Sequence, residues 1–287
     1  MNRKFLVVML FMTTSILYSF EEGFIWGLRA NFNGSLTLPS ISQEDLYKLS
    51  AAYMKGAVGY TMDGEAELGY LFGAERWFGK EKSDFSKFSG ISLYVSIGVG
   101  TGFSGMVAGN TLQVGTNSAV SAQMFMNVNY KPVISFGIGS KLYLLESRMA
   151  IGLQLGIKTI VDTSPEYLAY SDMDKTFSDL GVKLPEMSEI VVTDFMKKNM
   201  NPVMFSIKLM LEYNQPINDR VEVVLGIYTR FNIYKPKYIT MPDTLLGLIN
   251  TAKKALNAAE FNPQTPLNSY YMNSLDFGIT LGLQFRG

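Results

Sequence analysis

The residues best placed to do chemistry are carboxylates. Glu65 and Glu67 stand two positions apart, which puts both on one face of an extended strand, the placement of a general acid and base pair. No partner nucleophile accompanies them. The 287-residue chain has no Cys and no His, which excludes thiol nucleophiles, thiolate or imidazole metal sites, Ser-His-Asp triads and any His general base. Gly100-Thr101-Gly102-Phe103-Ser104-Gly105 fits the G-x-G-x-x-G pattern. A dinucleotide fingerprint needs a following helix inside a βαβ unit, and the residues around this one alternate as strands. No catalytic residue, metal ligand or cofactor is therefore expected, and the carboxylates read as halves of ion pairs. The 25 basic residues balance 25 acidic ones, so a basic nucleic-acid surface is also excluded.

The elements that must hold these charges are β-strands in an apolar setting. Charged residues make up 17% of the chain, against about 25% in an ordinary soluble domain. Residues 1–20 read as a cleaved signal peptide, with Asn2, Arg3 and Lys4 as the positive region, an unbroken apolar run from Phe5 to Met12, and smaller or polar residues to Ser19. That run is shorter than the ~20 residues of a spanning helix. Residues 21–287 contain no apolar stretch of that length and alternate instead. Phe24, Trp26, Leu28, Ala30 and Phe32 share one face, with Gly27, Arg29, Asn31 and Asn33 on the other. The same period recurs in Ile91 to Phe103, Val120 to Val128, Ile134 to Leu144, Met149 to Val161, Val203 to Tyr213, Val221 to Ile233 and Leu275 to Phe285. Most have the length of a tilted strand crossing a bilayer.

A first count gives nine strands. Residues 53–78 are too long for one crossing and contain Asp63-Gly64, a strong hairpin signal, and splitting there gives ten. The fold expected is all-β: an antiparallel transmembrane barrel of about ten strands, with eight as the open alternative. Asp63-Gly64, Glu146 to Arg148 and Asn214 to Asp219 then form turns at one end, and Tyr130-Lys131-Pro132 a tight turn at the other. The long segments 35–52, 162–201 and 235–269 lie at that second end and carry short helices from Ser42 to Met54, Ser188 to Lys198, and around Leu245 to Leu256.

The mature chain resembles the small bacterial outer-membrane β-barrel proteins of the surface or opacity type. Phe277, Ile279, Leu281, Leu283 and Phe285 resemble that family's C-terminal sorting strand, although Arg286 and Gly287 follow the final aromatic where the family pattern stops. The resemblance implies a bacterial outer membrane, contact with its lipid, and recognition of the last strand by the barrel assembly machinery. Outer-membrane barrels that act as proteases or acyltransferases resemble the chain in shape but depend on a His, so enzyme activity is not expected.

With apolar residues outward, the alternation sends Arg29, Lys141, Lys158, Lys208 and Arg230 inward against Glu65, Glu67, Glu212, Glu222 and Asp276. Ions in a narrow bore are tolerable when paired, so the leading expectation is a structural or surface-exposed protein with a lumen plugged by ion pairs. A gated channel for a small solute is the alternative, with room left by Gly98, Gly100, Gly102, Gly137, Gly139, Gly152 and Gly156. A third reading is an adhesin or ligand-binding module acting on a host ligand through its long loops. A soluble lipocalin-like barrel would reverse the two faces. Trp26, Trp77, Phe78, Tyr130, Tyr213 and Tyr271 are expected to form an aromatic girdle.

Overall fold

The computed structural model describes residues 22–43, 46, 53–73, 88–114, 118–145, 147–161, 163–171, 203–218, 220–235 and 271–287, the side chains of 108–128 and 163–171 excepted. Nine strands form one antiparallel sheet: β1 (Gly23–Ser40), β2 (Tyr53–Gly73), β3 (Phe88–Val114), β4 (Ser118–Leu144), β5 (Met149–Ile160), β6 (Thr163–Ser171), β7 (Val203–Asn218), β8 (Val221–Ile233) and β9 (Tyr271–Arg286). Each strand pairs with the next around a ring in which β5 joins β7 and β9 returns to β1, while β6 pairs with β4 alone. The closed barrel therefore has eight strands, and β6 continues β5 along the upper part of β4. Closure of the eight-stranded ring pairs the backbone of each of its strands on both sides over the lower part of the barrel, as a chain crossing a membrane by strands requires.

This corrects the count of ten, at two places. Residues 53–73 are one strand: Asp63 lies opposite Asn31 on β1 and Gly100 on β3, and Gly64 opposite Ala30 and Val99. A dipeptide turn preference is a local term, and here it is outweighed by full-length pairing on both sides. Tyr130-Lys131-Pro132 is likewise no turn. It lies inside β4, where Lys131 and Pro132 stand opposite the single residue Thr101 of β3. This is a β-bulge at a proline that has no N–H to give to the ladder. The bulge reverses the alternation: Tyr130 is buried, whereas Phe136 and Ile138, of the same parity, are exposed. Gly105 to Val114 forms the upper part of β3, and Ser118 is the first residue of β4. A second bulge, Val58-Gly59 opposite Ser104, lies on the other side of β3.

The turn at 145–148 and the one between β7 and β8 lie at the end that holds Gly23 and Arg286, here called the lower end. Leu145 and Ser147 take positive φ (52° and 65°) to make the first of these turns. Helical geometry at Gln43, with Leu46 N–H donating to the Ser42 carbonyl at 2.9 Å, starts the helix expected from Ser42, but it cannot reach Met54, which belongs to β2. The segments Ser188 to Lys198 and Leu245 to Leu256, residues 1–20, Trp77 and Phe78 lie outside the described residues.

Which face is inside is now settled. Leu28 is 52% exposed and its neighbour Arg29 3%, and the same contrast runs around the ring, with Val95, Ile138, Leu155, Leu209, Ile227 and Ile279 outward. The solvent of such an exterior is lipid, which excludes the soluble, reversed barrel. On the lower rim, Trp26 stacks on Phe285 across the β1–β9 seam with centroids 3.9 Å apart, and Phe24 meets Tyr70 edge-on. Tyr213 and Tyr271 are exposed at strand ends, as a girdle requires, whereas Tyr130 is buried and does not belong to it. We predict that Leu281→Arg, on the lipid face of β9, destabilises the barrel by about 2–4 kcal/mol and that Val58→Arg, near the rim, costs about 0–1 kcal/mol. Reversible urea titration of the protein in phospholipid vesicles measures both.

Candidate functional site: the charged bore

The inward faces of seven strands deliver charged side chains to the bore, and β3 delivers none. Within the described bore six cations face six anions: Arg29, Lys141, Lys158, Lys208, Arg230 and Arg286 against Asp63, Glu65, Glu67, Glu212, Glu222 and Asp276. All ten side chains singled out in the sequence are there. The two that were missed, Asp63 and Arg286, had been assigned to a turn and to a tail beyond the last strand. Their parity within β2 and β9 was the available signal.

The pairs are stacked in layers. At the floor Arg286 meets Glu222 at 2.9 Å, Gln284 donates to the same carboxylate at 3.1 Å, and the Gly287 N–H donates to the Phe24 carbonyl at 2.9 Å. The two residues past the final aromatic therefore fasten the seam and the floor. Above them is a closed four-membered set: Arg29 reaches Glu67 at 2.9 Å and Glu212 at 3.0 Å, and Lys141 reaches Glu67 at 2.6 Å and Glu212 at 3.1 Å. Next, Lys208 meets Glu65 at 3.0 Å, with the Gln154 amide donating to Glu65 at 2.6 Å and the Asn31 amide at 3.1 Å. Uppermost, Arg230 lies 3.4 Å from Asp63 and Lys158 3.8 Å from Asp276.

Most of these pairs join strands that are not neighbours in the ring. Lys208 and Arg230 are cross-strand neighbours of like charge, and each finds its anion on β2, with Lys208 reaching the strand diametrically opposite its own. Two pairs, Arg286–Glu222 and Arg29–Glu67, sit on adjacent strands. An eight-stranded barrel is just narrow enough for side chains to bridge it. Tyr228 adds a ring face between the two like charges, 4.8 Å from the Lys208 ammonium and 5.2 Å from the Arg230 guanidinium.

Several inward glycines stand beside a large side chain. Tyr94 lies opposite Gly139, Met210 opposite Gly152, Tyr228 opposite Gly278, Glu212 opposite Gly226 and Arg29 opposite Gly282. A Cβ on Gly139 would stand 2.5 Å from the Tyr94 ring and 2.7 Å from the Leu153 carbonyl oxygen, and one on Gly152 2.6 Å from the Met210 side chain. Of the glycines expected to open one wall, Gly139, Gly152 and Gly137 are slots for Tyr94, Met210 and Gln154, and Gly100 lines a cavity. A cavity of about 50 Å³ lies in the uppermost layer.

A barrel with an apolar exterior and a bore filled by paired charges is a membrane β-barrel. No protein-family model matches the chain, and comparison with curated proteins returns no match. Among solved structures it is similar to Neisserial surface protein A, at 6% identity over 91% of this chain and 97% of that one, with a TM-score of 0.26. It is also similar to the outer membrane protein OprG from Pseudomonas aeruginosa, at 8% identity over 93% and 98%, TM-score 0.28. The outer membrane protease OmpT from Escherichia coli matches at 8% identity over 95% and 100%, TM-score 0.33. The class therefore rests on the chain's own geometry.

Removing one member of a buried ion-pair set leaves its partners as uncompensated charges. We predict that Glu212→Gln destabilises the barrel by about 3–5 kcal/mol in vesicle urea titrations, because Arg29 and Lys141 then share Glu67 alone. Gly139→Ala, which forces the Tyr94 ring and the Leu153 backbone apart, should cost about 1–3 kcal/mol in the same assay.

Proposed function

We propose that the protein is a structural, surface-exposed barrel of a bacterial outer membrane, exported by a cleaved signal peptide, with a bore that does not conduct. The observation that carries this reading is the closed Arg29, Glu67, Lys141 and Glu212 set. All four side chains are buried and every cation touches both anions, so the set bars the bore below its midpoint. A passing ion or solute would have to break charge pairs that have no bulk water to replace them. The lower end, where the β4–β5 and β7–β8 turns lie and where β1 begins and β9 ends, faces the periplasm, and the upper end, from which the chain leaves β6 and β8, faces outward. The alternating run Phe277, Ile279, Leu281, Leu283 and Phe285 serves as the signal to the assembly machinery.

The rival reading, a gated small-solute channel, is favoured by one feature, the looser ion pairs around the upper cavity. Planar-bilayer recording separates the two. Wild type is expected to give no conductance steps, and Glu212→Gln together with Arg29→Gln is expected to give small, frequent openings. Resolved steps in the wild type that change on Arg230→Ala or Glu222→Ala would instead establish the channel. An adhesin role would show as partner binding abolished by deleting Asp243 to Glu260 with the barrel still folded. In cell fractions, the protein is expected in the outer membrane with a gel band whose migration changes on boiling. A soluble periplasmic protein would overturn the proposal.

A further inference from the structure

The cavity in the uppermost layer lies between the Arg230–Asp63 and Lys158–Asp276 pairs, with Tyr130, Tyr234 and Met272 toward its upper end. Its hydrogen bonding is lopsided. Asp276 accepts from the Ser35 hydroxyl at 2.7 Å, the Asn232 amide at 2.7 Å and the Ser274 hydroxyl at 3.3 Å. Asp63 accepts from the Asn31 amide at 2.8 Å. Both carboxylates are thus supplied by neutral donors before any cation is considered. The cations are not supplied in return. The Lys158 ammonium stays 3.8 Å from Asp276, beyond hydrogen-bond reach, and Arg230 touches Asp63 through one nitrogen at 3.4 Å. Three N–H groups on Lys158 and most of the five on Arg230 therefore have no acceptor among the described residues. The Tyr234 hydroxyl, on a side chain 2% exposed, is also without one. In the layers below, Lys141 and Lys208 bond carboxylates at 2.6 and 3.0 Å, while Arg29 Nε and Nη1 and Arg286 Nε are buried without a hydrogen-bond partner.

We propose that this cavity binds a small, singly charged oxyanion, with its oxygens accepting from Lys158, Arg230 and the Tyr234 hydroxyl. The inference rests on the bore being closed beneath, so that the cavity is a blind pocket and not a passage. Against these donors the lining holds one buried acceptor without a partner, Asn232 Oδ1; donors in excess of acceptors select an acceptor ligand, and charge-assisted bonds of this kind are the strong ones. The volume of about 50 Å³ limits the ligand to roughly three to five heavy atoms at ~10–15 Å³ for each water-sized position. That admits formate, acetate or nitrate. The layer's two cations are already balanced by two carboxylates, and the cost of burying further uncompensated charge rises steeply with that charge, which disfavours a doubly charged anion such as sulfate.

The test is calorimetric titration of the full-length barrel, folded in zwitterionic detergent, with sodium acetate, sodium sulfate and sodium chloride at matched ionic strength. Saturable heat is expected for acetate, with sulfate weaker and chloride giving dilution heat only. Lys158→Met is expected to weaken acetate binding by more than about tenfold, the loss of one charge-assisted bond. Tyr234→Phe, which keeps the ring and removes only the hydroxyl, is expected to weaken it several-fold. Acetate heats indistinguishable from chloride in the wild type overturn the proposal, and so does undiminished binding in Lys158→Met. Should Lys158→Met fail to fold, undiminished binding in Tyr234→Phe has the same force. Conductance in the wild-type barrel would overturn the blind-pocket premise without touching these heats, so the two failures are distinguishable.

Discussion

The pairing of charges across the bore is the constraint on which the rest of this barrel depends. Six cations and six anions inside a shell of lipid-facing apolar residues have no water to fall back on. Each must find a counter-ion within reach of one side chain. That requirement limits the diameter. Lys208 on β7 meets Glu65 on β2, four strands away in a ring of eight, so the full bore is spanned by two extended side chains. Two further strands would widen the ring beyond such contacts and leave the same charges unpaired. Strand number and charge placement are one choice.

The diameter in turn dictates where the glycines go. Directly opposed residues in an antiparallel pair have Cβ atoms only about 4.5–5.5 Å apart, so two large inward residues cannot sit side by side in a narrow ring. Tyr94 with Gly139, Met210 with Gly152 and Tyr228 with Gly278 show the solution, one bulky side chain lying over the bare backbone of its neighbour. β3 carries the principle furthest. Between Ser92 and Ser104 its inward positions are Ser, Gly or the single Tyr94, and the wall it makes receives the long side chains projected from the other strands. Stability and closure thus come from the same fit, since a residue that fills the bore also blocks it.

The period-two pattern was legible because one face meets lipid along the whole strand, and the ten charges it sends inward are buried in the bore. Parity within a strand is local information. The count of ten failed where local and non-local information disagree. Asp63-Gly64 has turn chemistry, yet Asp63 holds Arg230 across the bore, and nothing near it in the chain announces that partner. At Lys131-Pro132 a bulge reverses the alternation, which from sequence looks the same as a turn between two strands. The partnering of charges was illegible for a related reason. Pairs that cross a bore depend on the register of strands far apart in the ring, and no spacing in the chain encodes it. Arg286 was passed over because its parity was read as ending at Phe285, although β9 continues through it.

The layers differ in a way that bears on which end of the molecule meets its surroundings. From the four-membered set upward the ion pairs lengthen, from 2.6–3.1 Å around Lys141 and Arg29 to 3.4 and 3.8 Å around Arg230 and Lys158. If the interior served stability alone, the loosest layer would gain from the short contacts made below, since Asp63 and Asp276 are already in place. Instead their lone pairs are occupied by Asn31, Ser35, Asn232 and Ser274, and the cations are held slightly apart. Neutral donors therefore keep the upper cations from collapsing onto the upper carboxylates. A tight floor beneath an under-satisfied upper layer is the arrangement of a pocket that faces outward, with the seal and the recognition surface built from one stack of charges.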